Sequence, residues 1–103
     1  MIIEDIVRHC ETSSLRWTNH VLKRLFQRKV HIDDVKTVLS KGEIIEQYPN
    51  DYPFPSCLVL GYTLTGCPLH VVCGSDGVEL WIITAYFPNP EEWTDGFKQR
   101  RKV

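Results

Sequence analysis

The stretch HIDDVKTVLSKGEIIEQY, His31 to Tyr48, changes its periodicity at Gly42 and so divides the chain into two kinds of structure. Before Gly42, Val35, Val38 and Leu39 recur at the three- and four-residue spacing of one helix face. Asp33 and Asp34 fall in the first turn, where negative charge complements the helix dipole. Gly42 reads as the C-terminal cap. From Glu43 to Tyr48 the period becomes two, which predicts a strand.

On the N-terminal side the pattern stays helical. Ile2, Ile3, Ile6 and Val7 predict a short first helix that Ser13-Ser14 breaks. Thr18 is placed to cap a second helix, with Trp17 before it and Leu22 four residues on as a hydrophobic staple. That helix should run to about Lys29 and bury Val21, Leu22, Leu25 and Phe26. On the C-terminal side, Pro49, Pro53 and Pro55 make 49–56 a rigid non-helical connection. Cys57 to Thr63, Pro68 to Cys73 and Val78 to Phe87 then read as strands, joined by turns at Thr65-Gly66 and Ser75-Asp76-Gly77. Pro88, Pro90 and Glu91-Glu92 start a helical turn that carries Trp93 and Phe97 toward the end. Helices first and strands later predict an α+β domain, with the N-terminal helices on one face of a four-stranded, mainly antiparallel sheet.

The 103 residues suit a single domain over 1–103, with its core at about 16–97 and a basic tail at 98–103. Composition is that of an ordinary globular protein, 43% hydrophobic and 24% charged, which argues against a disordered chain. Acidic residues follow Met-Ile-Ile where a signal peptide needs positive charge, and no apolar run reaches membrane-spanning length. A cytoplasmic protein with no membrane partner is expected. Cys10, Cys57, Cys67 and Cys73 contain no CxxC pair, so reduced, mostly buried thiols are expected, with no metal and no cofactor.

Net charge is only −1, so the distribution of charge matters more than its sum. Arg16, Lys23, Arg24, Arg28 and Lys29 crowd one segment, and Lys98, Arg100, Arg101 and Lys102 close the chain. His20, Arg24 and Arg28 recur every four residues and form one ridge on the second helix. Like charges at that spacing repel by about 0.2–0.5 kcal/mol per pair, so the ridge is either well solvated or used on an anion. The polyanion that paired arginines most often meet is a phosphate backbone.

An ordered series of residues then becomes recognisable: His20, Arg24, Arg28, Val30, Asp34-Val35, Gly42-Glu43-Ile44 and Glu46-x-Tyr48, followed by Pro55-Ser56, Leu58 to Gly61, Pro68 to Val72, Ile83 to Tyr86 with Pro88, and Trp93. Over roughly 16–101 this series resembles the domain-of-unknown-function family 4258. The resemblance implies a RelE-like or BrnT-like fold of the ribonuclease-toxin group. It also implies RNA as substrate and a cognate antitoxin as partner, often a small zinc-finger and helix-turn-helix protein. RelE-type sites use several lysines and arginines in the C-terminal strands, and here strands 57–63, 68–73 and 78–87 contain none.

Metal-independent RNA cleavage needs a base for the 2′-hydroxyl proton, cations for the phosphate and an acid for the leaving 5′-oxygen. His20 and His70 are of the right type for proton transfer. Arg24 and Arg28 can clamp the phosphate, and Tyr86 can orient it or protonate the leaving group. These five are the candidate catalytic residues, with Lys23, Arg100 and Arg101 as candidate RNA-binding residues. The expected activity is a metal-independent endoribonuclease toxin; the alternative is a non-catalytic module that binds RNA or protein. Trp81 and Trp93 are expected in core packing, although either ring is of a kind that stacks on bases. Cys73 facing Val78 would set His70 opposite Trp81, on the other face from Tyr86, whereas a one-residue bulge would reverse that relation.

Overall fold

Thr18 opens the helix that carries the basic ridge: its Oγ1 accepts from the Val21 amide at 3.1 Å, as an N-cap should. The computed structural model describes residues 1–94 and 96–101. Asp95, Val103 and the expected tail residue Lys102 lie outside the described residues. In chain order the elements are α1 (Ile3–Glu11), β1 (Leu15–Arg16), α2 (Asn19–Gln27), α3 (Ile32–Lys41), β2 (Glu43–Tyr48), β3 (Ser56–Tyr62), β4 (Pro68–Ser75) and β5 (Leu80–Tyr86).

α2 ends in a paired-bond cap. The Lys29 amide bonds the Phe26 carbonyl at 3.1 Å and the Val30 amide bonds that of Leu25 at 2.9 Å, with Lys29 at φ 59°. This turn buries Val30 and leaves Arg28 as the C-cap residue, at the rim of the sheet. α3 ends at Gly42 for a different reason from the one expected. Its φ of −84° needs no glycine, but a Cβ there would lie 2.5 Å from the carbonyl oxygens of Leu60 and Val38. Gly42 is therefore a close-approach residue between helix end and β3.

The architecture is α+β, and its sheet has five strands in the order β1-β5-β4-β3-β2. This corrects the four-stranded expectation: β1 pairs in parallel with β5 through Leu15↔Leu80 and Arg16↔Trp81. A two-residue strand is too short to show a period. The helices pack on one face, where Ile6, Val21, Leu25, Val35, Val38 and Leu39 meet Val59, Leu69, Val71, Leu80, Ile82 and Ala85. Cys57 and Cys73 are buried there as a facing pair, while Cys10 is half-buried and Cys67 exposed. The C-terminal segment covers the other face, held by a Trp93↔Arg100 bridge and an Arg101 amide to Glu92 carbonyl bond of 2.8 Å. Among the described residues no helix is long and apolar enough to cross a membrane.

One further expectation needs correcting, and one open alternative is decided. Phe26, assigned to the buried stripe of α2, is 84% exposed. The nine-residue helix seats only Val21 and Leu25 deeply, and Phe26 is turned about 100° from Leu25 around a helix of 3.6 residues per turn. The β4–β5 register also differs from the simple meander. The hairpin that pairs Ser75 with Leu80 already sets Cys73 opposite Ile82, and a bulge that leaves Ile83 unpaired then sets Val72 opposite Thr84 and His70 opposite Tyr86, so His70 and Tyr86 share a face.

Candidate functional site

His70 lies in the middle of β4, fully buried under Trp93, whose ring meets the imidazole edge-on at 4.4 Å between centroids. Its Nε2 is 2.9 Å from the Phe97 carbonyl oxygen and its Nδ1 is 3.3 Å from the Tyr86 hydroxyl. A carbonyl only accepts, so Nε2 carries the hydrogen. Burial lowers the His70 pKa, against a raising influence from the Phe97 carbonyl and Glu46, and the ring is neutral at neutral pH. In that tautomer Nδ1 is an acceptor, and the Tyr86 hydroxyl donates to it. Burial raises the Tyr86 pKa, so the phenol keeps its proton; Arg100 and Arg28 pull the other way, and Glu46 and Glu92 reinforce the rise.

Phe97 carbonyl, His70 and Tyr86 thus form an oriented chain of hydrogen bonds that ends at a half-buried hydroxyl on the sheet's rim. Arg28 stands beside that end. Its Nη1 donates to Thr84 Oγ1 at 2.9 Å and to the Ala85 carbonyl at 3.0 Å. Thr84 and Tyr86 project from the same face of β5, two residues apart. Nε and Nη2 of Arg28 have no acceptor among the described residues, so a guanidinium anchored at one corner presents its remaining donors outward.

On the far side of Trp93 lies an ion-pair network. Arg100 grips Glu46 through Nε and Nη2, both at 3.2 Å, and its guanidinium lies 4.7 Å from the centre of the Trp93 ring. The Tyr48 hydroxyl also donates to Glu46. Burial tends to raise the Glu46 pKa, but Tyr48 and Arg100 outweigh it and hold the carboxyl below its ordinary value. Burial and the carboxylate together push Tyr48 up to about 12. The signal in the sequence for these two is Glu46-x-Tyr48 itself, a carboxyl and a phenol two residues apart and therefore on one face of a strand.

The basic ridge follows the outer edge of β5. Thr18 and His20 line a hollow with Trp81, Ile82 and Ile83, while Arg28 is bonded at Thr84 and Ala85. β1 covers that edge only at Leu80 and Trp81, which leaves the rest of it open to α2. Between the two ends, His20, Lys23, Arg24 and Gln27 are exposed around a hollow of about 310 Å³. His20, Lys23 and Arg24 have no carboxylate partner among the described residues.

The structure therefore brings Arg28, Tyr86 and His70 together. His20 does not join them: eight residues of helix at 1.5 Å each separate it from Arg28 by about 12 Å along the axis. Arg100 is committed to Glu46. Arg101 donates from Nε to the Pro90 carbonyl at 2.7 Å, pinning the C-terminal segment. Among the described residues no group of three or more His, Cys, Asp or Glu side chains is gathered as a metal site.

No curated protein and no solved structure matches this chain. A family model matches residues 17–87, from the residue before the α2 cap through the end of β5, and so takes in the ridge, His70 and Tyr86. With well over half of its length covered by that match, the chain belongs to the family described as Domain of unknown function (DUF4258).

Proposed function

We propose that this protein is a metal-independent endoribonuclease of the toxin type, in which the α2 ridge binds the RNA backbone and Tyr86 transfers protons at the cleaved phosphate. The observation that carries this reading is the hydrogen-bond chain from the Phe97 carbonyl through His70 to Tyr86, ending beside the free donors of Arg28.

Arg28 holds the phosphate by a two-point grip and stabilises the charge that grows on its oxygens. The proton of the 2′-hydroxyl passes to the Tyr86 oxygen as the Tyr86 proton passes to His70 Nδ1. The 2′-oxygen bonds to phosphorus and the bond to the 5′-oxygen breaks. The same proton returns through Tyr86 to the leaving oxygen, giving a 2′,3′-cyclic phosphate and a 5′-hydroxyl and restoring both residues. The Phe97 carbonyl fixes the tautomer that makes Nδ1 the acceptor. Arg24 and Lys23 hold neighbouring phosphates, and His20 acts one nucleotide away from the cut. In the cell, a cytoplasmic antitoxin, such as a small zinc-finger and helix-turn-helix protein, blocks the ridge.

The test is cleavage of labelled RNA in EDTA. Wild-type protein should give cyclic-phosphate ends, and Tyr86→Phe and Arg28→Ala should not. Undiminished cleavage by both variants would refute the assignment of residues, and no cleavage of any RNA by wild-type protein would refute the activity. A second reading is a non-catalytic RNA-binding module with the same ridge. It is favoured by the full burial of His70, which prevents the imidazole from touching RNA directly. It predicts salt-sensitive binding without bond breaking.

A further inference from the structure

At the N-terminal end of the ridge lies a second hollow, of about 450 Å³, lined by Thr18 and His20 of the α2 start, by Asp51, Tyr52 and Phe54 of the β2–β3 connection, and by Trp81 of β5. Tyr52 is 93% exposed. Its loop is nevertheless tied down on both sides. The Asp51 amide bonds the Tyr48 carbonyl at 3.2 Å, and Asp51 Oδ2 accepts from the buried Ser56 hydroxyl at 2.6 Å. Phe54 lies against Gly74, where a Cβ would come within 3.0 Å of its ring. The Trp81 indole is fixed as well, since its Nε1 donates to Asp76 Oδ2 at 3.0 Å. The hollow is thus lined by two aromatic rings, one on an anchored loop and one held by its indole nitrogen, and a flat partner entering it would meet both.

We infer that this hollow is a nucleobase pocket, and that its preferred base is guanine. The inference rests on the RNA-binding role proposed for the ridge and deepens it. A base stacks on Tyr52 and Trp81, and His20 at the pocket mouth faces the phosphate of the same nucleotide. Asp51 reads the edge. Its Oδ1 has no partner among the described residues, and Oδ2 has only the Ser56 hydroxyl. A carboxylate with acceptors to spare suits guanine, which presents N1–H and its exocyclic amine side by side. Adenine and cytosine set one donor next to an acceptor, and uracil sets its single imide donor between two carbonyls that a carboxylate repels. The roughly 12 Å of helix between His20 and Arg28 places this pocket beside the cleavage position and not on it.

The experiment measures fluorescence anisotropy with labelled 2′-O-methyl pentanucleotides, which bind without being cut: five uridines against the same strand with a central guanosine. Wild-type protein should bind the guanosine strand at least tenfold more tightly. Tyr52→Ala should weaken both strands, and Tyr52→Phe should restore them. Asp51→Asn keeps an acceptor for Ser56, so it should preserve uridine binding while reducing the guanosine preference to within twofold. Equal affinity of wild-type protein for the two strands, or unchanged binding in Tyr52→Ala with an unaltered melting curve, would overturn the pocket and leave the hollow to a protein partner. Absence of any binding would overturn it too. Because these strands cannot be cleaved, a guanosine preference without RNA cleavage upholds the pocket while the nuclease reading fails, and the reverse result separates them in the other direction.

Discussion

Replacing Tyr86 by phenylalanine removes one oxygen from the end of the buried hydrogen-bond chain and leaves the ring that packs against His70, at 5.3 Å between centroids, in place. The consequence for stability follows from what the oxygen does. It donates to Nδ1 of a fully buried imidazole whose other nitrogen is already committed to Phe97. Leaving a buried acceptor without its donor costs about 1–3 kcal/mol. The bond is long for an O–H donor at 3.3 Å, and Tyr86 is only half-buried, so water reaches the vacated position. The lower end applies, about 1 kcal/mol. For a domain of this size that lowers the melting temperature by about 4–8 °C. The consequence for chemistry is much larger. If the hydroxyl carries the proton between RNA and His70, its removal should slow cleavage by about 10²–10⁴-fold, the usual worth of a positioned acid or base. RNA affinity, set by the ridge, should stay within twofold. Thermal denaturation, single-turnover cleavage and anisotropy on the same preparation test all three. Cleavage within threefold of wild type, or affinity and cleavage falling together by the same factor, would refute the reasoning.

Arg24→Ala combined with Arg28→Ala should remove two phosphate contacts, so the slope of log affinity against log salt should fall by about 1.4, at about 0.7 per contact for a single strand; an unchanged slope would place the RNA elsewhere. The depressed pKa of His70 has a signed consequence. The unfolded chain takes up this proton near pH 6.5 and the folded chain only at lower pH, so stability is full above that value and is lost as pH falls from there through the folded pKa. His70→Gln should be less stable at pH 7.5 yet lack this part of the acid sensitivity, a difference readable from urea midpoints across pH 4.5–7.5. Phe26→Ser should change stability by no more than about 0.5 kcal/mol, because the ring is 84% exposed, whereas Leu25→Ala should cost about 2–5 kcal/mol; equal effects in chemical denaturation would contradict the orientation of α2.

The parts of the fold that are written locally could be read from local residues. Thr18 caps α2 because its hydroxyl needs only the amide three residues on, and the polarity of positions 19–28 defines the ridge whatever the rest of the chain does. β1 is not legible locally, because Leu15–Arg16 is strand only by virtue of Leu80 and Trp81, which lie far away in sequence. Phe26 lies outside the buried face because helical spacing tells which residues share a face, and not how wide a face the neighbouring sheet covers.

The candidate site divides in the same way. The side-chain types suited to holding and cutting a phosphodiester, His20, Arg24, Arg28, His70 and Tyr86, and their order along one helix and two strands, follow from the amino-acid sequence, since residue chemistry and helical pitch are properties of short segments. Which of them meet depends on a single extra residue in β5, Ile83, which is left unpaired between Val72↔Thr84 and Cys73↔Ile82. That bulge turns His70 onto the face of Tyr86, while the cap at Lys29 delivers Arg28 to the same rim and the ion pair with Glu46 withdraws Arg100 from it. Register, and the competition of distant carboxylates for an arginine, are long-range outcomes of packing, so only the tertiary structure decided them.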